Sequence, residues 1–339
     1  MAQMNVFENN AFELITMVDA FENIPYIPNY LEKDFEVKAT STRQVSIEEK
    51  DGVLTLIPFS ERGSADTQTA NGNRKLRYFD TVRLSDADTI YAHEIASIRA
   101  FGKESELDRV ANVVKERGET RRNNINATLE YLRLGALQGK FMNPLDGSVM
   151  YNWFDEFDVT QPAEVSFDLA NDGVLKKLKK ERRRIIKESG GAVTPQTKVK
   201  MLCGSDFWDA FIEHPEIKET YLNWSAAQSY RDKEAGVYEE FTIGGVIVSE
   251  YRGADGSEVA IADDKCILYP VGVQGNLVHA TAPMDEKFAF VNTPGKKTYV
   301  FTELDPRTPA QNKEWVKVIA RAYPLMYVAR PKTLGRGKM

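Results

Sequence analysis

Three histidines (His93, His214, His279) and two cysteines (Cys203, Cys266) are the residues of this chain best suited to metal binding, nucleophilic attack or proton transfer. Their spacing supports none of these. His93-Glu94-Ile95-Ala96-Ser97 approaches the HExxH pattern of zinc proteases, but Ser97 stands where a second imidazole must complete the chelate from the next helical turn. It reads as a surface or partly buried histidine. Pro294-Gly295-Lys296-Lys297-Thr298 brushes against a phosphate loop without the upstream glycine or the Gly-Lys-Ser/Thr order, and reads as a β-hairpin turn with solvated lysines. No GxSxG elbow and no GxGxxG fingerprint occurs. The cysteines lie 63 residues apart with no CxxC spacing, which argues against a disulfide framework and a zinc site; they read as buried thiols in a reducing compartment. No catalytic, cofactor-binding or metal-ligating residue is assigned, and no enzyme is expected. One cluster does have a physical use. Eight cations (Lys176, Lys177, Lys179, Lys180, Arg182, Arg183, Arg184, Lys187) surround a single acid, Glu181, and could neutralise phosphates or meet an acidic surface.

That cationic run lies on a helix from Asp172 to Ser189, with Val174, Leu175, Leu178, Ile185 and Ile186 on its apolar side and Gly190-Gly191 as its stop. A short strand at Val199 to Cys203, a helix from an N-cap Ser205 to about Tyr221, and strand-like runs at Phe241 to Val248 and Cys266 to Pro270 follow. The region from Phe167 to Tyr269 therefore reads as a compact α+β or α/β unit. Upstream, Leu107, Val110, Val114, Ile125, Leu129, Leu132 and Ala136 keep helical spacing between a capping box (Ser105, Asp108) and a stop at Gly139. At 1.5 Å per residue this helix is about 50 Å long. Lys115, Glu116, Arg117, Glu119, Arg121 and Arg122 put charge around most of it, which predicts a strut, with Gly118 as a bend point. A hairpin over Lys140 to Asp158 follows, turning at Asn143-Pro144-Leu145-Asp146-Gly147, with Val149, Tyr151, Trp153 and Phe154 as strand residues.

Val45 and Ile47, then Val53, Leu54, Leu56 and Ile57, flank Asp51-Gly52 and predict a hairpin there. The polar stretch from Ser60 to Arg74 is long for a loop inside a compact domain. Leu76 to Leu84 then alternates apolar with charged residues (Leu76, Tyr78, Thr81, Val82, Leu84), so two strands and a long tip form a projecting arm. Residues 1–35 combine a short amphipathic segment (Phe12, Leu14, Ile15, Val18, Phe21) with Pro25 and Pro28, and predict an extended arm that needs a neighbouring surface. Phe288 to Arg330 carries strand signals at Phe288 and Phe290, Tyr299 and Phe301, and Val316, Val318 and Ile319, and returns to the long helix.

The 339 residues suffice for two domains or one elaborated one, and 42% hydrophobic with 28% charged residues is ordinary for a globular protein. A net charge of -6 argues against a protein whose main task is electrostatic capture of nucleic acid. No basic-plus-apolar leader and no run of about 18 apolar residues is present, so no membrane partner is expected.

The runs RAFGKESELDRVANVV (Arg99 to Val114), LEYLRLGALQGKFMNPLDGSVMYNWFDEF (Leu129 to Phe157) and ARAYPLMYVARPKTL (Ala320 to Leu334) are similar to the major capsid protein E family of lambda-like tailed phages, and the resemblance extends from IPYIPNYL at Ile24 to Leu31 onward. It implies an α+β chain of the Hong Kong 97-type capsid fold. The implied parts are an N-terminal arm (1–35), an extended β-hairpin loop (36–88), a peripheral domain with a long spine helix (89–165), an axial domain (166–285) and a return to the peripheral domain (286–339). The implied function is self-assembly, through pentamers and hexamers, of the icosahedral shell around double-stranded DNA. Localisation would be the virion, and the host cytoplasm during assembly. Implied partners are further copies of the chain, a scaffolding protein, a portal, a packaging motor and decoration proteins. Because the motifs begin near residue 24, no long scaffolding segment is expected to be fused. Some capsids of this fold crosslink a lysine to an asparagine; Lys50 and Lys75 are not at the tip, and no crosslink is expected. The cationic helix would face either packaged DNA or acidic patches such as Asp155, Glu156 and Asp158 of a neighbouring subunit, the second being favoured. The alternatives are an encapsulin-like bacterial shell protein that encloses a cargo enzyme, and a hydrolase resting on the HExxS near miss.

Overall fold

The longest element is helix α1, Glu106–Leu137, whose 32 residues span about 48 Å at 1.5 Å per residue. It belongs to a computed structural model that describes residues 30–50, 74–91, 93–94, 106–167, 169, 173–190, 192–222, 240–251, 261–307 and 314–339. Ser105, the predicted cap, lies outside these residues. The helix runs without interruption through Gly118. Along its first half the charges are used in pairs: Arg117 meets Asp88 at 2.7 Å and Arg121 meets Asp86 at 3.4 Å, both acids on strand β4, Leu84–Tyr91. The second half departs from the predicted strut. Ile125, Leu129, Leu132, Leu134, Ala136 and Leu137 are buried, and so are Asn126, Glu130 and Arg133 on the remaining sides. The rod is a surface helix at one end and the centre of a core at the other, because small sheets close around its C-terminal turns.

Gly139 ends α1 with φ +81 and an N–H donated to Ala136 O at 2.9 Å. A Cβ at this position would run into the ring of Phe154, which is itself buried. Gly139→Ala is therefore expected to lower stability by about 2–4 kcal/mol, from the left-handed backbone and the overpacked ring together. Urea denaturation of the full chain measures it. The hairpin that follows pairs β5, Lys140–Met142, with β6, Val149–Asn152. Trp153 and Phe154 are not strand residues as predicted; they open a short helix, α2, Trp153–Glu156. The Asn152 side chain accepts the Phe154 N–H at 3.3 Å, and this cap turns both rings into the core.

Two three-stranded sheets flank α1. One has the order β1 (Glu36–Ala39), β12 (Leu277–Thr281), β15 (Pro324–Val328); the other has β13 (Tyr299–Leu304), β14 (Trp315–Ala322) and β4. The strand predicted at Phe288 and Phe290 is instead a single 3-10 turn, with Phe288 fully exposed and Phe290 buried. Strand β2, Gln44–Lys50, pairs with β3, Arg74–Asp80, in a register that sets Lys50 opposite Arg74. The described partner of β2 is thus β3, and the predicted turn at Asp51-Gly52 lies outside the described residues.

A six-stranded sheet has the order β7 (Val165–Ser166), β16 (Gly335–Lys338), β11 (Lys265–Val271), β8 (Lys198–Cys203), β10 (Val246–Glu250), β9 (Glu240–Ile243). Period-two alternation divides its faces. Val199, Met201, Cys203, Val246, Val248, Cys266 and Leu268 pack under helix α3, Val174–Glu188, helix α4, Ser205–Glu213, and helix α5 over 215–222. Leu202, Ile267 and Tyr269 face the core around α1. The single helix predicted from Ser205 to Tyr221 is two, because His214 is extended (ψ 134) ahead of Pro215. Glu216 on α5 then caps α3, accepting the N–H of Gly173 at 2.7 Å and of Leu175 at 3.0 Å.

Candidate functional site

Of the residues singled out for chemistry, the three histidines stay apart, and only Cys203 and Cys266 face each other, across β8 and β11. His93 is exposed with its ring stacked on Tyr91 at 5.7 Å, and Glu94 pairs with Arg117 at 3.4 Å; Ser97 lies outside the described residues. Among the described residues, no three His, Cys, Asp or Glu side chains gather in a way that could hold a metal. Pro294 to Thr298 is not the predicted hairpin turn: β12 and β13 on either side pair with other strands. Gly295 is pressed against the backbone at Thr281 and Ala282 and donates its N–H to Thr40 O at 2.9 Å, while Lys297 forms an ion pair with Glu32. No helix among the described residues is long and apolar enough to cross a membrane.

What the fold does concentrate is charge at the junction of residues 30–35, α1 and the six-stranded sheet. Lys200 on β8 reaches Asp34 at 2.9 Å, and Tyr269 on β11 donates to Asp34 at 2.8 Å. Tyr30 hydrogen-bonds Ser249 of β10 at 2.8 Å and donates to Glu240 of β9 at 3.0 Å. Burial, with Asp34 beside it, pushes the Tyr269 hydroxyl far above the usual phenol range. On the other side Glu130 accepts the Leu31 N–H at 3.0 Å, the Tyr251 hydroxyl at 3.2 Å and Arg133 at 3.2 Å. Segment 1–35 is predicted as an arm that needs a neighbouring surface. Its last residues are instead anchored at home, with Leu31 fully buried.

His279, at the centre of β12, is fully buried and both ring nitrogens lack a hydrogen-bond partner among the described residues. Burial, with the Arg133 and Lys297 charges nearby, holds the imidazole well below its ordinary value. The folded ring therefore stays neutral while the unfolded chain protonates near pH 6.5. Its contribution to stability is complete above that pH and is lost as pH falls below it, by up to about 1.4 kcal/mol per unit. Urea midpoints at pH 7.5 and 5.5 are expected to fall accordingly, and His279→Leu to flatten the fall. Glu130 has the opposite sign: burial raises its carboxyl, so its contribution is lost as pH rises through the raised value.

The exposed apolar residues form the second notable set. On the β2–β3 arm, Val45, Ile47 and Phe79 are buried, whereas Leu76 (53% exposed) and Tyr78 (61%) stand on the outward face. The alternation starting at Leu76 thus marks the outer face, and the register with Val45 and Ile47 would have revealed it. Leu145, Val149 and Met150 on the β5–β6 hairpin, and Phe288 with Val291 between β12 and β13, are further exposed apolar groups. On α3, Lys177 is turned to Phe167 O and Arg184 to Glu181, Lys332 O and Leu334 O. Lys176, Lys179, Lys180, Arg183 and Lys187 remain exposed, one cationic stripe at helical spacing.

A long helix flanked by small sheets, with an arm that turns Leu76 and Tyr78 outward, fits a protein built to associate. The chain matches the family described as phage major capsid protein E over residues 13–339, and it belongs to that family. It is 28% identical to the major capsid protein of Pseudomonas phage KPP10, over 88% of this chain and 90% of that one. It is 22% identical to the major capsid protein of Salmonella phage Felix O1 (isolate Felix O1-VT1), with 96% of each covered. Among solved structures it resembles the mature capsid of bacteriophage PhiM1 with a TM-score of 0.51 at 11% identity, covering 93% of this chain and 89% of that one. The fold is the α+β, Hong Kong 97-type capsid fold.

Proposed function

We infer that this protein is the major capsid protein of a tailed phage, a virion component whose copies tile the icosahedral head. The observation that carries this reading is the family match across residues 13–339. Assembly is homo-oligomeric, and many weak contacts on one shell add through multivalency. Expression of the chain with its neighbouring genes, followed by negative-stain electron microscopy, tests it: shells or tubes are expected, and monodisperse monomers alone would count against it.

Within that function, residues 1–35 act as an N-terminal arm, 36–88 as the extended loop, 89–165 and 286–339 as the peripheral domain and 166–285 as the axial domain. Gly335–Lys338 supports one refinement, since it joins the six-stranded sheet of the axial unit. Pentamers and hexamers form around the axial domains, with a scaffolding protein, a portal and decoration proteins as partners. The α3 stripe meets acidic groups of an adjacent copy. Asp158 is already held by Arg77 at 2.9 Å. Exposed Asp206, Asp209, Glu213 and Glu219 on the neighbouring helices are the better complement. If so, shell yield falls as salt rises from about 0.05 to 0.5 M, and Lys180→Glu with Arg183→Glu lowers it several-fold at low salt. Normal empty shells that lose their DNA would instead assign the stripe to the genome.

A further inference from the structure

Cys203 and Cys266, 63 positions apart in the chain, stand directly opposite each other on the antiparallel strands β8 and β11. Gly204 donates its N–H to Lys265 O at 2.9 Å, so that pair is the hydrogen-bonded one. Cys203 and Cys266 then form the adjacent non-hydrogen-bonded pair, where Cα atoms approach to about 4.5 Å and side chains are closest. A disulfide accepts Cα separations of about 4.4–6.8 Å. Both thiols are free, both are buried, and both face the same core under α3 and α4. A cavity of about 240 Å³ reaches β11 at Cys266 and is edged by Lys140, Glu164, Lys265, Arg336 and Gly337. Water occupies about 30 Å³, so a peroxide fits easily. On β16, a Cβ at Gly337 would stand 2.5 Å from the Phe167 ring and 2.7 Å from Cys266 Sγ, so the glycine lets the ring and the sulfur pack closely against the strand.

We propose that Cys203 and Cys266 are a redox pair, in which a peroxide oxidises Cys266 and Cys203 resolves it to an intrachain disulfide tying β8 to β11. In the first step Cys266 sulfur attacks one peroxide oxygen, an S–O bond forms, the O–O bond breaks, and the leaving hydroxide takes a proton to become water. In the second, Cys203 sulfur attacks the sulfenic sulfur, the S–S bond forms, the S–O bond breaks, and a second water leaves. Two thiols give up two electrons and two protons, and the peroxide accepts both. Burial pushes both thiols far up, with Cys266 and Glu250 adding to the rise at Cys203 and the Gly337 N–H opposing it at Cys266, so the pair stays reduced until oxidant is abundant.

The test exposes the purified full-length chain to hydrogen peroxide, then denatures it and maps peptides without reductant. A Cys203–Cys266 linked peptide and a loss of about 2 Da per chain are expected, both reversed by dithiothreitol. Exposed Met150 and Met339 report the oxidant dose. In Cys203→Ser, Cys266 is expected to accumulate as a sulfenic acid captured by dimedone; if that variant fails to fold, the map of the parent chain decides. The proposal is overturned if both cysteines remain alkylatable at doses that convert Met150 to the sulfoxide, or if Cys266 is overoxidised or linked between chains instead.

Discussion

A chain carrying L76K and Y78T is expected to fold normally and to lose the ability to build shells. Both positions lie on the outer face of the β2–β3 arm, more than half exposed, so neither supports its own core. Lysine is tolerated on an exposed strand face and Y78T introduces a β-branched residue of good strand propensity, so the hairpin itself is retained. Burying a leucine or tyrosine against another copy contributes roughly 1.5–3 kcal/mol. Losing two such groups at every contact of a shell is expected to reduce assembled particles by at least about tenfold. Sedimentation separates shells from subunits, and unfolding free energies from urea within about 0.5 kcal/mol of the parent establish that folding is intact. Normal shell yield would remove the arm's outer face from the assembly.

The second large effect is on folding. Arg133 is fully buried and ion-paired with Glu130 three residues earlier on α1. Arg133→Ala leaves a carboxylate inside the core with only the Leu31 N–H and the Tyr251 hydroxyl to hold it. Breaking such a pair from one side costs about 3–5 kcal/mol, whereas replacing both partners by apolar groups of similar volume is often close to neutral. Urea denaturation should therefore show R133A strongly destabilised and the double variant E130L/R133M much less so. The defect in R133A is also expected to loosen residues 30–35, because the Leu31 N–H is bound to the same carboxylate. Faster amide exchange at Leu31 reports it.

Helical spacing made α1 and α3 legible in the sequence, since their apolar positions repeat every three or four residues. Strand partners were not legible. Nothing local says that Gln44–Lys50 pairs with Arg74–Asp80, because an Asp-Gly step lies closer in sequence and offers a competing turn. Pro215 marks the break at His214, but the apolar positions on either side keep helical spacing and hide it. Asp34, Lys200, Glu130 and Arg133 were invisible as a group, for charged residues scattered over some 170 positions carry no period. The same distance hid the facing of Cys203 and Cys266. The family was legible because its motifs sit where α1 turns into the β5–β6 hairpin and where β14 runs into β15, the segments that hold the core around α1.

A lone copy of this chain leaves Leu76, Tyr78, Leu145, Val149, Met150 and Phe288 in water. A reconstruction of assembled particles at side-chain resolution tests most directly whether that is an incomplete object. The account predicts the outer face of β2–β3 covered by an adjacent copy, with Leu76 and Tyr78 buried in the contact. Particles in which that face stays bare, or a preparation that never leaves the monomer, would contradict it.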